Sequence, residues 1–234
     1  MRAALLLARM AWTSASVLKA LQVVATRGGS VACPPLLVVL ARAFVARAVH
    51  LNHLRFAALL SLGYHALLRT GELLQLQFRD LEVSLDCGVV SLKCSKSGLR
   101  SGSQEAVALR DSLCLQILSA LLATTPHSPG DKIWPHSAQA FRLAFKRLVT
   151  FFNASQFNFK PCSLRRGGAT YLLQYGLAAM ESILLRGRWK SLAVGRLYLE
   201  DVLAQIPSLR FSLKDRMHVA FWANKTPVTT FCPR

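Results

Sequence analysis

Acidic residues are scarce in this chain. Against 29 Lys and Arg stand only 11 Asp and Glu in 234 residues, a formal net charge of +18, and no acidic side chain precedes Glu72. A globular chain this basic faces a polyanion, with nucleic acid ahead of an anionic membrane surface, or else simply carries a cationic soluble surface. The basic residues are spread along the chain and form no run, which argues against an electrostatic tail or polybasic anchor.

Metal-ligand spacing is missing as well. The six cysteines, at 33, 87, 94, 114, 162 and 232, make no C-x-x-C pair and have no His at ligand spacing, which argues against a zinc site. Their scatter through apolar stretches suits reduced thiols in a nuclear or cytosolic protein. His50 and His53 form an H-x-x-H without a third ligand and read as surface histidines. Long hydrophobic runs are also lacking, although the mean hydropathy is +0.34. The longest charge-free runs, Gly28 to Ala41 (interrupted by Pro34 and Pro35) and Phe56 to Leu68, fall short of the ~18–20 residues of a membrane span and have the length of buried helices.

What is present is a hydrophobic fraction of 53%, enough for a proper core. Residues 1–33 read as a helical leader, a transit peptide or a truncated upstream segment, because they are Arg-bearing, Ser-containing and amphipathic. The Pro34-Pro35 pair marks the entry to the main domain, and "LLVVLARAFVARAV" and "LRFAALLSLGYHALL" read as two helices, the second deeply buried. A third, short helix follows in "TGELLQLQF". The period then changes: "LEVSLDCGVVSLK" alternates on both sides of Asp86-Cys87-Gly88, and "EAVAL" supplies a third strand beyond a Gly/Ser-rich loop holding Lys96.

Helices resume with Asp111 capping "SLCLQILSALLA" and Ser137 capping "AQAFRLAFKRLVTFFN". Phe141, Phe145, Leu148 and Phe152 recur at helical spacing and read as core, since base-stacking aromatics normally sit on an exposed sheet. After Pro161 come "SLRRGGATYLLQYG", a helix ended by Gly176, "AAMESILLRG", ended by Gly187, and "SLAVGRLYLEDVLAQI". The fold class expected is mainly α with a small three-stranded antiparallel β-sheet.

Three cations stand in distinctive local settings: Arg69 in "LLRTGELLQL", Lys96 in the hairpin loop and Arg165 in "CSLRRGGAT". Two guanidinium groups can clamp the non-bridging oxygens of a phosphodiester with forked donors, and a phenol can be the nucleophile if the cations around it favour the phenolate. Trp189 adds an indole N–H, a donor that never competes as a base. No carboxylate cluster for two-metal phosphoryl transfer is present, and no metal or cofactor is required.

With these blocks in view, the chain resembles the tyrosine recombinases, or phage integrases, through most of residues 35 to 205. "LLRTGELLQLQFRDL" looks like the block of the first catalytic arginine, "SKSG" like the hairpin lysine, "CSLRRGGAT" like the second arginine and "GRWKSLAVGRLYLE" like the stretch that ends in the nucleophile. The wording of the last two is most similar to integrase-like proteins of eukaryotic mobile elements. The resemblance implies a leader over 1–33, a catalytic domain over 34–206 and a tail over 207–234. It further implies that Tyr198 attacks the scissile phosphate, that Arg69 and Arg165 hold its oxygens, that Lys96 protonates the departing 5′ oxygen and that Trp189 fills a position that is His or Trp in relatives.

The partners so implied are double-stranded DNA and further copies of the chain, gathered as a tetrameric synapse, with a nuclear location. Arg166, Arg188 and Lys190 are expected at the DNA. Lys93 competes with Lys96, Tyr171 and Tyr175 with Tyr198, and Arg69 could instead be a structural partner of Glu72. Cys162 stands where many relatives have His, and its thiol either accepts a proton or is inert. Relatives also carry a separate helical domain that closes a clamp on DNA, which residues 1–33 are too few to supply; the chain is then a truncated copy, or binds through the catalytic domain alone. Two rival readings stand: a decayed recombinase that binds DNA without cutting it, and a type IB topoisomerase-like strand transferase.

Overall fold

The computed structural model describes residues 34–92, 105–189 and 210–225. From Pro34-Pro35 the chain enters helix α1 (Val38–His50), reverses at Asn52 and continues as α2 (Leu54–His65). Every α2 residue from Leu54 to Tyr64 except Arg55 is buried. A helix apolar all round is a core helix, and α2 is the axis of this fold. It packs against α1, against α4 (Ser112–Thr124) and against α6 (Cys162–Gln174).

The expected third helix is shorter than "TGELLQLQF". One turn, α3 (Thr70–Leu73), is followed by a 3₁₀ turn at Phe78–Asp80, where Asp80 accepts the Gln77 amide at 2.9 Å and stops any continuation. Strands β1 (Leu81–Val83), β2 (Gly88–Leu92) and β3 (Glu105–Leu109) then form an antiparallel sheet in the order β1-β2-β3. The register pairs Leu81 with Val90 and Val90 with Val107. That register lays Val90, Leu92, Val107 and Leu109 on one buried face, as period-2 alternation requires. The fold class and the three-strand sheet are those expected. The loop joining β2 to β3, with Lys93 and Lys96, lies outside the described residues.

Asp111 and Ser137 cap as expected, accepting the Cys114 amide at 2.9 Å and the Ala140 amide at 3.1 Å. Helix α5 (Ala138–Phe151) turns its aromatic stripe inward: Phe145 and Phe152 meet Phe44 at ring distances of 5.5 and 5.4 Å, and Phe141 meets Phe56 at 5.3 Å. These aromatics are core and not a base-stacking platform. Helix α7 (Met180–Gly187) and, past residue 209, helix α8 (Leu213–Ala223) complete the described chain, with α8 packed on α1. His50 sets its ring 5.1 Å from that of Trp222 on α8.

The feature that positions the site is the Gly167-Gly168 pair of α6. A Cβ at 167 would overlap the Leu36 carbonyl and one at 168 the Tyr64 carbonyl, so only glycine lets α6 lie against the backbone of both the entry segment and α2. The Leu36 amide donates to the Ser163 carbonyl at 3.0 Å across the first of these approaches. Close backbone contact brings the side chains flanking the glycines, Arg165 among them, against the turn that follows α2.

Candidate functional site

That turn, Leu67 to Arg69, leaves α2 with Leu67 at φ +52°, a left-handed conformation that a non-glycine residue adopts at a cost of about 1–3 kcal/mol. Arg69 then precedes α3 with its amide and its guanidinium both donating to Glu72, at 2.7 Å each. The Arg69–Glu72 ion pair, the rival reading of this arginine, is therefore present. It does not occlude the arginine, whose side chain remains 37% exposed while that of Glu72 is 6% exposed.

Arg165 lies at the other side of the same carboxylate. Its Nη1 donates to the Leu67 carbonyl at 2.6 Å and approaches Glu72 Oε2 at 4.0 Å, and its Nη2 donates to the Gly187 carbonyl. Two carbonyls from different segments fix the plane of the guanidinium. Its carbon sits 4.8 Å from the centroid of Trp189, a cation–π approach. Trp189 is buried and hydrogen-bonds its backbone amide to the Leu184 carbonyl at 3.0 Å. Gly187 permits this, because a Cβ there would run into the indole ring.

Helix α7 ends at Gly187 as expected. Gly187 is the last helical residue, and the left-handed residue beyond it, where glycine is the usual occupant, is Arg188 at φ +52°. Its side chain does not reach outward as a DNA contact at the surface would. It is only 7% exposed, donates from Nη2 to Glu72 Oε2 at 2.5 Å and lies with Nε 3.4 Å from Glu105 Oε2, an ion pair without hydrogen-bond alignment. Glu72 is thus shared by Arg69, Arg165 and Arg188. Burial pushes its carboxyl up, but Arg188 together with the amide and side chain of Arg69 outweighs burial and holds it below the usual carboxylate range. Burial pulls the Arg188 guanidinium down, with Glu72 opposing.

Arg166 likewise departs from the surface role expected for it. It is 5% exposed, because α6 is enclosed from Ser163 through Thr170 by the helices its glycines admit. Cys162, expected as a reduced thiol that either accepts a proton or is inert, is disulfide-bonded at the exposed start of α6. In that state it has no thiolate to offer. Distances along the chain rule out chelation motifs but do not tell which thiols fold side by side. Cys114 is a free and inert thiol, pushed to about 12 by burial.

The structure therefore gathers Arg69, Arg165 and Trp189 at one corner, joined by Arg188. Lys96, Lys190 and Tyr198 lie outside the described residues. Of the rival phenols, Tyr171 packs its ring 4.9 Å from that of Tyr175 and 6.1 Å from that of Tyr64. The hub role of Glu72, the Leu67 carbonyl and the contact with Glu105 were missed by the sequence reading. Glu72 had a signal, being the first acid in a strongly basic chain; the Leu67 carbonyl had none, since any residue carries one.

No protein-family profile matches the sequence, and no curated protein matches it. Solved structures do match its fold, which is that of tyrosine-recombinase catalytic domains. The chain superposes on the XerA recombinase with a TM-score of 0.57 at 16% identity over 81% of this chain and 65% of that one. Two structures of the XerH site-specific recombinase bound to difH substrates, a pre-cleavage complex and a post-cleavage complex on a palindromic difH, give TM-scores of 0.55 at 16% identity, over 70% and 71% of this chain. The chain spans 65% of the XerA recombinase and about half, 49%, of the XerH chains.

Proposed function

We propose that this chain is a metal-independent DNA strand transferase of the tyrosine-recombinase type. The observation that supports this reading best is the convergence of Arg69 and Arg165, from blocks nearly a hundred residues apart in sequence, on one buried carboxylate, with Trp189 against Arg165. Attack on a phosphodiester places a second negative charge on its non-bridging oxygens, and preorganised guanidinium groups in a dry corner stabilise that charge without reorganising. Tyr198, its proton lost to solvent because the cations around it favour the phenolate, forms the bond to phosphorus, the bond to the 5′ oxygen breaks, and Lys96 supplies the proton that the leaving oxygen takes. A 3′-phosphotyrosine link results. Attack on it by the 5′ hydroxyl of another strand releases the tyrosine, and paired copies of the chain on duplex DNA turn cleavage into exchange.

Nicked duplexes incubated without added metal test this, with a denaturing gel to reveal a covalent protein–DNA band. Wild type is expected to give the band and Tyr198→Phe to lack it. No band from either protein, with binding confirmed across a broad DNA library, overturns the enzyme and leaves a DNA-binding relic. That second reading draws on the disulfide at Cys162, which removes a proton acceptor from the helix of the second arginine.

A further inference from the structure

We propose that Arg188 is a positioning residue of the phosphate site: it occupies Glu72 so that Arg165, beside the same oxygen, stays aimed at phosphate. This rests on the strand-transfer reading above. The backbone supplies the first argument. Position 188 is left-handed, the conformation in which glycine is at ease, yet the chain's glycine stands one residue earlier, where the indole of Trp189 demands it. An arginine held in a conformation that disfavours it here places its side chain inward, 7% exposed, on Glu72.

The side chain supplies the second argument. Arg188 touches three acceptors on two separate segments: Glu72 Oε2 at 2.5 Å and the Leu67 carbonyl at 3.5 Å beside the first arginine, and Glu105 Oε2 at 3.4 Å on β3. Only a planar fork spans such a set; the ammonium of lysine is a single point. Glu105 opens β3, directly after the loop that carries Lys96, so one guanidinium links the hairpin, the first-arginine turn and the Trp189 corner.

Charge supplies the third. Three guanidinium groups, Arg69, Arg165 and Arg188, face two carboxylates, Glu72 and Glu105. Arg188 bonds Glu72 Oε2 at 2.5 Å, whereas Arg165 stays 4.0 Å from that oxygen and donates to carbonyls. Remove Arg188, and Glu72 has Arg165 as its nearest replacement partner. A shift of Arg165 toward Glu72 would pull it off the Leu67 and Gly187 carbonyls that fix its plane.

The test compares Arg188→Gly, which suits the backbone, Arg188→Lys, which keeps the charge but not the fork, and Arg188→Gly combined with Glu72→Gln. Each variant is first shown to unfold cooperatively. Single-turnover cleavage of nicked duplex at saturating DNA is expected to fall at least tenfold in Arg188→Lys and further in Arg188→Gly, with DNA affinity within about threefold of wild type. The double variant is expected to be no slower than Arg188→Gly alone, since Glu72 then no longer draws Arg165 away. Wild-type cleavage by Arg188→Gly or Arg188→Lys, or a multiplicative loss in the double variant, overturns the proposal.

Orthovanadate, a phosphate mimic that needs no strand transfer, separates this proposal from the one beneath it. Thermal unfolding is followed with and without the ion. If wild type yields no covalent band but is stabilised by vanadate while Arg188→Gly is not, the strand-transfer reading falls and the positioning role stands. An equal response of the two proteins, including none, overturns the positioning role.

Discussion

The aromatic core around Phe44 and the charged corner around Glu72 are joined by one helix, α2, yet they are built on opposite terms. In the core, rings from α1, α2 and α5 meet at ordinary edge and stacked distances, with no charge and no left-handed residue among them. In the corner, buried arginines crowd a carboxylate, and two of its residues, Leu67 and Arg188, hold positive φ. Elsewhere among the described residues positive φ falls on Asn52, Asn153, Asn158 and Gly176, residue types that tolerate it. The strained backbone positions thus fall in the charged corner, and none falls among the core rings.

Substitutions can break that division or sharpen it. Phe145→Ala is expected to cost about 3–5 kcal/mol in denaturant unfolding, as a buried aromatic leaving a cavity does, with cleavage per folded molecule unchanged. A loss of cleavage beyond the unfolded fraction would show that core and corner are coupled. Arg165→Ala is expected to do the reverse: cleavage of nicked duplex falls about 10²–10³-fold, the usual loss when a preorganised donor is removed from an oxyanion, while stability falls less than in Phe145→Ala. Gly168→Ala drives a methyl into the Tyr64 carbonyl at the seam between the regions, and is expected to cost about 1–3 kcal/mol and to lower cleavage by displacing α6.

A pH titration separates the regions without altering the core. The carboxyl of Glu72 lies lower in the folded chain than its ordinary value of 4.5, so its ion pairs stabilise the fold above that value and are lost as pH falls through the lower folded one. Glu72→Gln is therefore expected to flatten the acid side of the stability–pH curve, measured by thermal unfolding, and an unchanged acid limb would deny Glu72 its hub role. At His65, burial outweighs the attraction of Asp111 and lowers the imidazole, so their 3.5 Å approach is a polar contact and not an ion pair at neutral pH. The smallest effect expected is from Ser137→Ala, about 1 kcal/mol in unfolding from loss of the α5 cap, with cleavage unaffected.

The helices, the sheet and the caps were legible because each follows from a local rule: a 3.6 or a 2.0 period, a side chain that accepts an amide, a proline at an entry. Arg69, Arg165 and Trp189 were legible as a set through the order of their blocks. Helix α7 ends at Gly187 as read, but the glycine serves there as clearance for an indole, and the left-handed residue falls on Arg188. Arg166 was misplaced because helical angle alone assigns it to a different face from Arg165, and α6 has no outward face along that stretch.

By itself, then, the amino-acid order determined the fold class, the register of alternation and the residue types able to clamp a phosphate, since these depend on neighbours within a few positions. Only the tertiary structure decided which acid those arginines share, which carbonyls orient Arg165 and that Arg188 turns inward. Those contacts join segments as much as 121 residues apart, through close approaches set by glycines whose need arises only when the helices meet.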